Sequence, residues 1–152
     1  MNTNIKIAKK LIVIAKELLA MSPHKLSPED VIPLQGIYHN NNDDFDATVS
    51  NTDSRKINNE ARSDTEKKNI PKEDIIMILK QTKELFAQSS FLDHRDGINP
   101  GDVYDRKRYI IDTKINSRSY RITYVLQYPK PNLKDKKTNA KIKLHHLYID
   151  KQ

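Results

Sequence analysis

The chain has 152 residues, 36% hydrophobic and 31% charged, which suits one domain of ordinary size and leaves little apolar material for two separate cores. It has no cysteine, which excludes a disulfide framework, a thiolate zinc site and a thiol nucleophile. The net charge of +7 is lopsided: from Arg106 onward thirteen Lys and Arg stand against Asp112, Asp135 and Asp150, so that segment carries +10 and the chain before it −3. A lopsided bias of this kind marks a surface for phosphates or other anions.

Residues 4–20 read as an amphipathic helix. Ile5, Ala8, Leu11, Ile12, Ala15, Leu18 and Leu19 keep the three-and-four spacing, and Lys6, Lys9, Lys10 and Lys16 take the opposite face. Such a helix can pack on its own domain, dock on a protein partner or lie on an anionic membrane. It does not read as a membrane span or a secretory leader, because Lys9, Lys10, Lys16 and Glu17 interrupt it. Ser22-Pro23 ends it. Periodicity then dissolves: Pro28 and Pro33 punctuate a short apolar patch, and residues 40–68 are a polar run with almost nothing to bury. The expectation is a poorly ordered linker over 23–69.

Pro71 opens a second helix, with Glu73 and Asp74 in its first turn, an apolar stripe of Ile75, Ile76, Ile78, Leu79, Leu85 and Phe86, and Ser89-Ser90 as its close. Asp93 to Asp102 reads as a polar, turn-rich loop. The pattern then changes to period two. Arg108–Ile115 and Arg118–Tyr128 read as strands joined by a two-residue turn at Asn116-Ser117. With Ile115 opposite Arg118, Ile111 faces Ile122, Tyr109 faces Tyr124 and Asp112 meets Arg121. After a loop, Ala140–Ile149 reads as a third strand, with Ile142, Leu144, His146 and Tyr148 on one face and Lys141, Lys143 and His145 on the other. The fold class is therefore α+β: a helix (1–22), a tether (23–69), and a helix packed on a small antiparallel sheet (70–152).

If that helix covers the Tyr109/Ile111/Tyr120/Ile122/Tyr124 face, the opposite face is open and basic. Arg108, Lys114, Arg121, Lys141 and Lys143 are then the candidate nucleic-acid contacts. Tyr104, Tyr128 and Tyr148 serve either as stacking surfaces or as core and rim packing. Histidine alone here exchanges protons near neutral pH without a special shift. Cleaving RNA without metal needs a base, an acid and cations on the phosphate. His145, in strand register with the two lysines, and His94, in the loop before the first strand, are candidates for the proton transfers, with Arg121 on the phosphate. A lone histidine is more often structural, and His146, on the face expected to turn inward, is read that way. No metal-ligand spacing, glycine-rich phosphate loop or nucleophile motif is present, so no metal and no cofactor are expected.

Several stretches together suggest a family: the helix ending Glu84-Leu-Phe-Ala-Gln-Ser-Ser90, a polar stretch containing His94, then Tyr109-Ile-Ile-Asp-Thr-Lys-Ile115, Ser119-Tyr-Arg-Ile-Thr-Tyr-Val-Leu126 and Lys143-Leu-His-His-Leu-Tyr148. Residues 71 to about 150 resemble the barnase–EndoU–colicin–RelE-like nuclease domains of phage and mobile-element proteins, with Asn116-Ser117 replacing the usual hairpin glycine. The resemblance implies metal-independent RNA cleavage on the open face, as in a toxin or phage effector, with His94, Arg121 and His145 as the residues carried over. It also implies a protein of the cytoplasm or of a phage particle. Two other functions fit the same residues: a non-catalytic nucleic-acid-binding module, and a phage structural protein docked to a partner through helix 4–20.

Overall fold

A computed structural model describes residues 8–10, 28–95, 104–129 and 141–152. Of the amphipathic segment only residues 8–10 are among them, helical and exposed; the rest of that helix, and any docking on it, lies outside the described residues. A 3-10 turn at Pro28–Asp30 leads into β1 (Gly36–Asn40) and β2 (Phe45–Val49). Three helices follow: α1 (Asn51–Lys67), α2 (Lys72–Lys80) and α3 (Thr82–Gln88). Four strands complete the described chain: β3 (Ser90–Arg95), β4 (Tyr104–Ile115), β5 (Arg118–Pro129) and β6 (Lys143–Lys151). The class is α+β. The sheet is larger than the sequence suggests and is not purely antiparallel. Six strands run in the order β1-β2-β6-β5-β4-β3, with β2 joined to β6 in parallel at Thr48 and Lys143.

The central hairpin keeps the register read from the sequence, pairing Ile115 with Arg118, Asp112 with Arg121, Ile111 with Ile122 and Tyr109 with Tyr124. Its turn residues have φ of 51° at Asn116 and 66° at Ser117, the two positive values that a type I′ turn demands. The tip is clamped to the start of α2. Asp74, fully buried, accepts hydrogen bonds from Asn116 Nδ2 (2.7 Å), Arg118 Nε (2.7 Å) and the Tyr120 hydroxyl. Burial pushes the Asp74 carboxyl up, but the bonds from Arg118, Tyr120 and Asn116 outweigh it and hold the group below the usual aspartate range.

The linker expected over 23–69 is corrected. Residues 36–49 form a hairpin whose Tyr38, Ala47 and Val49 are buried, and residues 51–67 form a helix opened by a capping box between Ser50 and Asp53. That helix buries only Ile57 and Ala61 as apolar residues. Its other inward positions are polar and bonded. Asn58 Oδ1 accepts from Ile32 N (2.9 Å), Asn58 Nδ2 donates to Ile32 O (2.9 Å), and Ser54 Oγ accepts from Leu34 N (3.0 Å). The helix thus satisfies the backbone of residues 32–34 as a neighbouring strand would. It also covers the outer edge of β6, where Lys68 Nζ donates to Ile149 O (2.9 Å) and Asp64 accepts from the Ile149 N–H.

Two smaller corrections concern the second half. The helix expected over 71–90 is two helices broken at Gln81, where the Thr82 hydroxyl bonds the Leu79 and Ile78 carbonyls in place of a continuous ladder. Part of the expected loop is β3, paired antiparallel with β4 through Ser90–Arg95. One hydrophobic cluster unites the hairpin, the three helices and strands β4 to β6, from Tyr38, Val49 and Ile57 through Ile75, Ile78 and Phe86 to Tyr120, Tyr124, Leu144 and Ile149, while β3 adds no residue to it. Residues 28–69 therefore belong to the same core as the C-terminal sheet rather than tethering it.

Candidate nucleic-acid interface

The helices α2 and α3 cover the face that carries Tyr109, Tyr120, Ile122 and Tyr124, so alternate residues of β3 to β6 point outward. At the end away from the Asn116 turn, one outward row crosses four strands. Arg95 stands opposite Arg106, Arg106 opposite Gln127, and Gln127 opposite Lys143. At about 4.8 Å per strand the row spans roughly 14 Å. Arg95 and Arg106 are exposed; among the described residues neither they nor Lys143 forms a salt bridge, and Arg95 only adds to the positive charge that lowers the Asp93 carboxyl. Lys143 Nζ lies 5.2 Å from the centre of the Tyr104 ring. Like charges placed directly opposite each other destabilise a sheet, and an anion laid across them removes that cost.

Of the predicted contacts, only Lys143 lies in this row. Arg108 grips Asp93 (Nε to Oδ1, 2.7 Å) with a second bond from Nη2 to Oδ2, and that fork holds the Asp93 carboxyl below its ordinary value. Arg121 makes the same fork with Asp112 (2.9 and 3.2 Å), and Gln152 adds a third bond to Asp112. Both guanidinium charges are thereby compensated within the sheet. Lys114 is exposed beside the hairpin turn, opposite Ser119, eight residues or roughly 26 Å along β4 from Arg106. Lys141 precedes β6 and lines a groove near β2.

The histidines are placed by a bulge in β6. Val125 is opposite His146 and Leu126 opposite Leu144, so His145 is an extra residue and the alternation flips beyond it. Leu144, Leu147 and Ile149 are buried, while His146 joins Tyr148 on the outward side, its ring 4.5 Å from the Tyr148 ring and its Nε2 on Glu60. The inward assignment of His146 is thus corrected. His145 turns to α1, with Nδ1 3.5 Å from Asp53 Oδ1. Burial, and then the charge of Lys56, push its pKa below the ordinary value.

His94 is on β3, opposite Lys107, with Nε2 3.7 Å from Asp105 Oδ2. Strands β3 and β6 are separated by β4 and β5, so His94 and His145 stand about 14 Å apart across the sheet. Arg121 lies four residues, roughly 13 Å, along β5 from the partner of His146. The three residues expected to cleave RNA do not converge within hydrogen-bond reach of one phosphate. Among the described residues no cluster of three or more His, Asp or Glu could hold a metal ion, and no helix is long and apolar enough to cross a membrane.

Two cations of the row escape a reading of the sequence. Arg106 continues the Arg108/Ile110/Asp112 alternation two positions before the expected start of that strand. Arg95 carries no local signal, because its segment reads as a loop. Comparison with protein-family models, with curated proteins and with solved structures finds no match to this chain. Its function is therefore read from the site itself.

Proposed function

We propose that the chain binds a nucleic-acid strand through its phosphates on the outward face of the sheet, without cutting it. The observation that supports this most is the row Arg95, Arg106, Gln127 and Lys143, three cations in one register with no acid among them. Tyr104 beside Lys143, and Tyr148, 41% exposed two positions beyond His146, offer ring faces on which bases of a single strand can stack. The connection from β5 to β6, residues 130–140, adds four lysines against one aspartate to the same charge balance. A binder needs only cations and ring faces, whereas a nuclease needs two converging proton-transfer groups, and His94 and His145 are kept apart by two intervening strands.

The test is fluorescence anisotropy with labelled 12-residue RNA and DNA over a salt series, in EDTA. Three phosphate contacts predict a slope of log affinity against log salt near −2, at about 0.7 per contact on a single strand. Arg106→Glu should lower affinity at every salt and flatten the slope by about one contact. Binding that ignores salt, or an Arg95→Glu/Arg106→Glu variant that binds like the parent, would refute the assignment. Cleaved strands in EDTA would replace binding with catalysis.

A further inference from the structure

The register row, though not its charge, continues beyond β6. The parallel bridge sets Thr48 of β2 opposite Lys143, and Ile37 of β1 opposite Thr48, so both lie on the outward side at the same level. Here a groove of about 410 Å³ opens, lined by Ile37, Asp46, Thr48, Lys141 and Ile142. It has the size of a small-molecule site, and its walls differ in chemistry from the row that leads into it. Ile37 is 60% exposed on an edge strand, an apolar surface without a partner among the described residues. At the other wall Asp46 is steadied by His39, whose Nδ1 lies 2.7 Å from Oδ1; Oδ2 makes no hydrogen bond among the described residues.

We infer that this groove seats a base of the bound strand, and that Asp46 selects a base with an exocyclic amino group. The inference rests on the phosphate row proposed above and adds what lies beside it. Asp46 and Lys141 both line the groove, so their charges offset and the groove, unlike the all-cation row beside it, offers a phosphate no net attraction; the backbone stays on Arg95, Arg106 and Lys143. The flat, apolar part of a nucleotide is its base, which matches Ile37 and Ile142. A carboxylate accepts from a cytosine-type amino group and is repelled by the carbonyl oxygen that uracil carries at the same position. The edge of the groove is thus complementary to cytosine over uracil.

The experiment uses the full chain and three probes: oligo(C), oligo(U) and inorganic polyphosphate, the last having charge and no base. The parent should bind all three and prefer oligo(C) over oligo(U) on the order of tenfold, the low end of one specific base contact. Asp46→Ala should erase that preference, and Asp46→Glu should retain it. Ile37→Ser, at an exposed position, should weaken both oligonucleotides several-fold relative to polyphosphate. Equal affinity of the parent for oligo(C) and oligo(U), or an Asp46→Ala variant that keeps the preference, overturns the groove while leaving the row intact. If none of the three probes binds, the row fails and the groove with it.

Discussion

Asn58 and Asn59 are identical neighbours on α1 that the structure separates completely, since Asn58 is 3% exposed and Asn59 is exposed. Asn58→Ala removes three hydrogen bonds, two to the backbone of Ile32 and one to Ser54 O (2.8 Å). The Ser54 carbonyl is within the helix and keeps other partners, but Ile32 N–H and C=O lose theirs. For part-buried groups the cost is about 1 kcal/mol each, with a similar loss for the third bond. Alanine returns about 0.6 kcal/mol through its better helix propensity. The net is a destabilisation of about 2 kcal/mol, or roughly 4–8 °C in Tm for a chain of this size. Asn59→Ala should be neutral or slightly stabilising. Urea titration followed by far-UV circular dichroism, backed by thermal melts, measures both. If the two variants agree within about 0.5 kcal/mol, α1 does not support residues 32–34 as described and is closer to the tether its composition suggests.

Removing residues 1–67 takes Tyr38, Ala47, Val49, Ile57 and Ala61 out of the single core, so the remaining chain should show no cooperative melt; a sharp transition near the parent Tm would refute the one-core description. Ser117→Gly should stabilise by about 0.5–1 kcal/mol, because glycine relieves the positive φ of 66°; a loss of stability in thermal melts would contradict the turn type. Asp74 is held below its unfolded value, so its contribution is present above about pH 4 and is lost as pH falls through the lowered folded value. Asp74→Ala should therefore be strongly destabilised at pH 7 and should lose less of its remaining stability between pH 5 and 2.5 than the parent; parallel pH curves would show that the clamp is not ionic.

Placing catalytic histidines depends on the strand register more than on their identity. His145 and His146 alternate correctly only if β6 is regular, and one inserted residue reverses which of them faces outward. Pairing has an equally large effect on the arginines. Arg108 and Arg121 carry the charge that makes the sheet look basic, yet each is matched by an acid, and the cations left for an external anion are shifted toward the other end of the face.

The chain's own pattern was enough for the elements whose stabilising contacts are local. A two-residue turn with residues tolerant of positive φ, flanked by alternating apolar positions, specified the β4–β5 hairpin and its register, including the Asp112–Arg121 pair. The acidic first turn after Pro71 marked the start of α2. Tertiary structure alone decided the rest, because the partners are distant in sequence. The inward side of α1 is polar, and it is satisfied by Ile32 and Leu34, 26 and 20 residues away, and by the last strand, 81 residues from Lys68. A buried polar face leaves no hydrophobic period to read. Strand β3 has largely exposed residues and exists because β4 offers it a ladder, and with it come Arg95 and the Asp93 that neutralises Arg108. The bulge at His145 is likewise a property of the β5–β6 pairing, set by which residues of two separate strands must share the core.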